Sequence, residues 1–68
     1  MRSIFDLSVG ESAKISGFAD GKVADISGSM GLCVGQDIRL ISKCGTVVIG
    51  LNFRTLAIGK SLAGRIYV

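Results

Sequence analysis

The sequence predicts a small, mainly β barrel of five short strands, with one short helix and one helical turn before the last strand. Three observations carry that expectation. Ten glycines and no proline cut the 68 residues into short pieces. Apolar and polar residues alternate at the two-residue period of half-buried strands. The apolar residues are mainly aliphatic, since Phe5, Phe18, Phe53 and Tyr67 are the whole aromatic complement. A chain of this length buries only about 60% of its unfolded surface. Closing the sheet on itself then removes the edges through which such a chain would aggregate.

Each element follows from local chemistry. After a turn at Gly10-Glu11, Ser12 to Phe18 alternates small or apolar with polar residues and reads as the first strand. Ala19-Asp20-Gly21 is a turn signal, and Lys22 to Met30 carries Val23, Ile26 and Met30 at helical spacing. Ser27-Gly28-Ser29 weakens that helix, so one or two turns are expected, ending at Gly31. Gln36 to Ser42 is the second strand, with Ile38 and Leu40 inward and Asp37 and Arg39 outward. Lys43-Cys44-Gly45 forms the hairpin tip, where glycine supplies a positive φ. Thr46 to Leu51 is the third strand, with Gly50 marking a bulge or bend. Thr55 to Ile58 is the fourth. Gly59 to Ala63 has room for one helical turn, and Arg65 to Val68 is the fifth strand. An SH3-like barrel fits this order best, because the neighbouring OB-fold usually needs a longer chain and a longer inter-strand helix.

Composition narrows the chemistry. Hydrophobic residues make up 49% and charged residues 19%, which excludes a disordered chain. No apolar run reaches the roughly 18 residues of a membrane span. Asp6, Gly10 and Glu11 interrupt any signal-like stretch, so the expected compartment is the cytoplasm. There Cys33 and Cys44 are expected to stay reduced. The five acids lie at or before Asp37, whereas Arg39, Lys43, Arg54, Lys60 and Arg65 follow with no acid among them. A basic half invites a nucleic-acid reading. Without aromatics interleaved for base stacking, a solvated surface that protects strand edges is the better account.

Catalytic machinery is missing from the sequence. There is no histidine, hence no Ser-His-Asp or Cys-His arrangement. Gly59-Lys60-Ser61 lacks the upstream glycine of a phosphate loop. Cys33 and Cys44 supply two of the four ligands of a closed zinc site, leaving only completion by Asp25 or Asp37 or by a second chain. Cys33 reads more simply as a part-buried loop residue and Cys44 as an exposed tip. Asp20, Asp25 and Asp37 fall on separate elements, and no loop offers the six oxygens of a hard-cation site. No cofactor is expected, and a binding role is what remains.

Met30-Gly31-Leu32-Cys33-Val34-Gly35-Gln36-Asp37-Ile38 resembles the G-[LIM]-x-P-G-x-x-[IV] signature of the ferrous iron transport protein A (FeoA) family. Leu7 to Ile15 is similar to that family's opening L-x-x-G-x-x-A-x-I, and Leu56 to Val68 resembles its closing strand, helical turn and I-x-V strand. Two departures stand out: Val34 replaces the common proline, and Ser27-Gly28-Ser29 replaces a leucine-rich helix end. The resemblance implies one SH3-like domain over residues 1–68. It also implies a non-catalytic accessory role, exercised by contact with the membrane GTPase and permease called ferrous iron transport protein B. Met30, Leu32 and Val34 are the first candidates for that contact, although core packing is the simpler role for Leu32. The same fold occurs in iron-dependent repressors, whose DNA-binding helices have no counterpart in these residues. A nucleic-acid-binding barrel and a metal-ion sensor are the alternative functions, and a homo-oligomer is an open arrangement.

Overall fold

The computed structural model describes residues 2–68. A 3-10 turn at Ile4–Asp6 is followed by β1 (Ser12–Lys14), β2 (Gly17–Phe18), α1 (Gly21–Ser29) and β3 (Asp37–Ser42). Then come β4 (Val47–Gly50), β5 (Thr55–Ile58), α2 (Lys60–Ala63) and β6 (Ile66–Tyr67). Two antiparallel sheets result, one in the order β1-β3-β4-β5 and one pairing β2 with β6. This is an SH3-like arrangement, built from six strands among the described residues rather than five.

The extra strand comes from the predicted first one, which bends and changes partner between two consecutive residues. The amide of Ile15 donates to the Gln36 carbonyl at 3.0 Å, on the β3 side, and that of Ser16 to the Tyr67 carbonyl at 2.8 Å, on the β6 side. Alternation of side chains runs through the bend unbroken, with Ile15 in the core, so the pattern alone cannot reveal it. The barrel is also less closed than expected. Backbone of Arg2 and Ser3 lies along β6, where Ser3 bridges Tyr67 and the Val68 amide donates to the Arg2 carbonyl at 3.0 Å. No such segment lies along β5 among the described residues.

The core is aliphatic. Ile4, Leu7, Leu40, Val47, Ile49 and Ile66 are fully buried, with Ile15, Ile38 and Ile58 nearly so. Ile38 and Leu40 face inward while Asp37 and Arg39 face solvent, as the alternation predicts. The bulge lies not in β4 but on its partner. Leu40 opposes Ile49 and Ser42 opposes Val48, leaving Ile41 as the extra residue. Gly50 serves that bulge from the other strand: a Cβ there would meet the Ile41 side chain at 3.1 Å.

Helix α1 is longer than Ser27-Gly28-Ser29 suggested. Its N-cap is Asp20, whose carboxylate accepts from the Val23 amide at 2.9 Å. Its C-terminus is a Schellman motif. Gly31 takes φ +85°, its amide donates to the Gly28 carbonyl at 3.0 Å, and the Leu32 amide donates to the Ser27 carbonyl at 2.9 Å. The two caps compensate for the weak interior. The buried face is Val23 and Ser27, not Val23 and Ile26; Ile26 is exposed. Ser27 thus sits wholly buried with no hydrogen-bond partner for its hydroxyl.

Candidate functional site

The segment that carried the strongest motif forms a hydrogen-bonded loop. Cys33 to Gln36 closes a turn in which the Gln36 amide donates to the Cys33 carbonyl at 3.2 Å and Gly35 takes φ +89°. Positive φ at the third position and none at the second describe a type II turn. The Gly35 amide then donates to the Ile15 carbonyl at 2.7 Å, pinning the loop to the bend between β1 and β2. Val34 stands at the second turn position, the one that favours proline. Of the three contact candidates, Leu32 is buried in the core, Met30 is half-buried against it, and Val34 is exposed. They do not share one surface.

A different surface gathers more exposed apolar area. Ser12, Arg39, Gly50 and Thr55 stand side by side across the four-stranded sheet. The outer face at this row is an open groove of about 790 Å³. Ile41 at 42% exposure and Val9 at 63% border it; Arg39 and Arg54 supply its positive charge, and Asp37, paired with Lys14, its negative charge. Beside it, at the β4–β5 turn, Phe53 is 99% exposed. Arg54 donates to the Met30 carbonyl, tying that turn to the end of α1. Side-chain alternation could have found Ile41, because it lies one residue out of phase with Leu40. Phe53 could have been noticed as a large apolar residue in a polar turn, Asn52-Phe53-Arg54.

The cations of the second half divide by use. Lys43 donates to the carbonyls of Phe5 (3.3 Å) and Leu7 (2.9 Å) and lies over the Phe5 ring, 5.6 Å from its centroid. It terminates the 3-10 turn. In the first half, Arg2 pairs with Glu11 and Lys14 with Asp37, each at 2.8 Å. The Ser3 amide holds the Asp6 carboxyl below its ordinary pKa, with its hydroxyl assisting. The Ser8 amide, and then Arg2, do the same for Glu11. These carboxylates fasten turns.

Cys33 and Cys44 are both free thiols, and Cys33 is exposed rather than part-buried. Among the described residues no three Cys, Asp or Glu side chains gather as a metal site would require. No helix among them is long and apolar enough to cross a membrane.

Similarity to known proteins agrees with the fold. An iron uptake regulatory protein (FeoA) crystal structure superposes with a TM-score of 0.85 at 28% identity, over 94% of this chain and 88% of that one. The FeoA-like protein of Clostridium acetobutylicum gives 0.83 at 22% identity, over 94% and 79%. The zinc-complexed FeoA of Stenotrophomonas maltophilia, described as a procaryotic SH3 domain protein, gives 0.85 at 20% identity, over 100% and 89%. A manganese-dependent transcriptional repressor shares the fold over 98% of this chain, at 18% identity and a TM-score of 0.86, but only 40% of its own length is covered. No curated protein matches significantly. The FeoA domain profile matches residues 3–68. The chain therefore belongs to the FeoA domain family.

Proposed function

We propose that this chain is a non-catalytic accessory protein of ferrous iron uptake. It acts from the cytoplasm by protein–protein contact with the membrane GTPase and permease, ferrous iron transport protein B. The observation that carries the reading is the exposed apolar and cationic surface of Phe53, Ile41, Val9, Arg39 and Arg54 on a member of the FeoA domain family. Apolar side chains flanked by arginines are what a protein interface uses, with the apolar groups at its centre. Val34, exposed at the tip of the motif loop, is a second contact point. Neighbours described as an iron uptake regulatory protein and linked to activation of ferrous iron transport support the same process.

The test is capture of the cytoplasmic part of the transporter by the purified chain, with its GTP hydrolysis measured alongside. Capture and a changed hydrolysis rate are expected. A Phe53→Ser, Ile41→Ser variant should bind at least tenfold more weakly, as expected for losing central contacts of an interface. If the wild-type chain neither binds nor alters hydrolysis, the reading fails.

A further inference from the structure

Strand β5 presents a row of backbone groups that the fold does not use. The Leu51 amide donates to the Arg54 carbonyl at 2.7 Å, and Gly50–Thr55, Ile49–Leu56, Val48–Ala57 and Val47–Ile58 then face one another in order. Hydrogen-bonded and non-hydrogen-bonded pairs alternate along an antiparallel ladder. Gly50–Thr55 and Val48–Ala57 are therefore the non-hydrogen-bonded pairs. The amides and carbonyls of Thr55 and Ala57 point away from β4. Both residues are exposed, β5 is the outermost strand of its sheet, and no other described backbone group bonds to them. The strand itself carries no charge, proline or bulge, the usual devices that blunt an edge.

What flanks the strand selects its partner. Arg54 precedes it and Lys60 follows it, and no acid occurs from residue 38 to the end. Antiparallel pairing of two copies through β5 would bring two Arg54 and two Lys60 into one ribbon with no carboxylate between them, which like-charge repulsion opposes. An acidic strand meets the same cations favourably. One face of an added strand would continue the row of Thr55, Gly50 and Arg39. The other would continue the face of Leu56, which packs on the core. We propose that the β5 edge binds an extended segment of a partner protein that alternates acidic with apolar residues, adding it as a further strand of the sheet. This rests on the reading that the chain works by protein contact, and adds the form that contact takes.

The probe is a capped seven-residue peptide alternating valine with glutamate, titrated into the intact chain and followed by amide NMR and hydrogen exchange. Slower exchange of the Thr55 and Ala57 amides is expected on binding, with affinity falling as salt rises. In Ala57→Pro the lost amide points outward, so the β4 ladder is kept and binding should fall about tenfold for the loss of one edge bond. A second measurement does not depend on that variant folding. The peptide is N-methylated either at its glutamates or at its valines, and because amides alternate sides along a strand, only one version should lose binding. Equal binding of both versions, or unchanged exchange at Thr55 and Ala57 under saturating peptide, would overturn the proposal. So would self-association of the chain that Ala57→Pro abolishes, since β5 would then pair with a second copy. Transporter capture undiminished by Ala57→Pro overturns the edge mode and leaves the accessory role standing. Edge binding of the peptide without any transporter capture does the reverse.

Discussion

The strands that end the two sheets, β6 and β5, are finished in opposite ways. β6 is covered: Ser3 bridges Tyr67, the Val68 amide reaches the Arg2 carbonyl, and Ile66 is wholly buried between them and the core. β5 is left open, with Thr55 and Ala57 exposed and Phe53 standing in solvent at the turn before it. The charges follow the same division. Around the covered end, Asp6 and Glu11 are engaged with backbone amides and Arg2, while the strand at the open end is flanked by Arg54 and Lys60, with no acid from residue 38 onward. A 68-residue barrel has little stability to spare. The difference gathers backbone hydrogen bonds at the β6 end and leaves the β5 edge exposed.

The largest effect should separate the two ends directly. Ile66→Ala, in the covered strand, should cost about 2–5 kcal/mol in denaturant unfolding, as buried aliphatic truncations do. Phe53→Ser at the open end should change stability by no more than about 0.5 kcal/mol. Comparable losses would show that Phe53 packs as part of the fold and would break the contrast. Ser27→Ala tests the closed side from within. It removes a buried hydroxyl without a partner and adds a better helix former, so unfolding should become about 1 kcal/mol harder; destabilisation would mean that the hydroxyl has a partner after all.

Val34→Pro comes next. The second position of a type II turn accepts proline, and the substitution should stabilise by about 0.4–1 kcal/mol by restricting the unfolded chain. A thermal midpoint lowered by this change would refute the turn assignment.

Acidification gives the smallest effect. Asp6 and Glu11 have lowered pKa values in the folded chain, so the unfolded chain binds protons first. Their contribution is present above the ordinary carboxylate range near about pH 4 and is lost as pH falls through the lower, folded values. An Asp6→Asn, Glu11→Gln variant should be slightly less stable at pH 7, with a shallower loss between pH 5 and 2. An unchanged acid slope would mean that these carboxylates do not fasten the covered end.

Much of this architecture was legible from local chemistry. The fourth strand lies where its β-branched and aliphatic run placed it, and Ile38 and Leu40 point inward as alternation required. Gly31 and Gly35 take the positive φ values that the helix end and the loop need. Ile26 misled, because helical spacing cannot distinguish one apolar face from another until the cap at Gly31 sends Leu32 into the core. The candidate site was less legible. The motif drew attention to Met30, Leu32 and Val34, yet exposure separates them, and Phe53 and Ile41 carried no motif at all.

What the sequence determined by itself was the list of short elements, the aliphatic core and the turns that need glycine. Each depends on residues near one another in the chain. Only the tertiary structure decided that the first strand changes partner at Ile15-Ser16, that Gly50 makes room for Ile41, and that β6 is covered while β5 is open. Those are choices of neighbour. A strand's alternation records which face is buried, but its backbone carries the same amide and carbonyl whichever segment lies beside it.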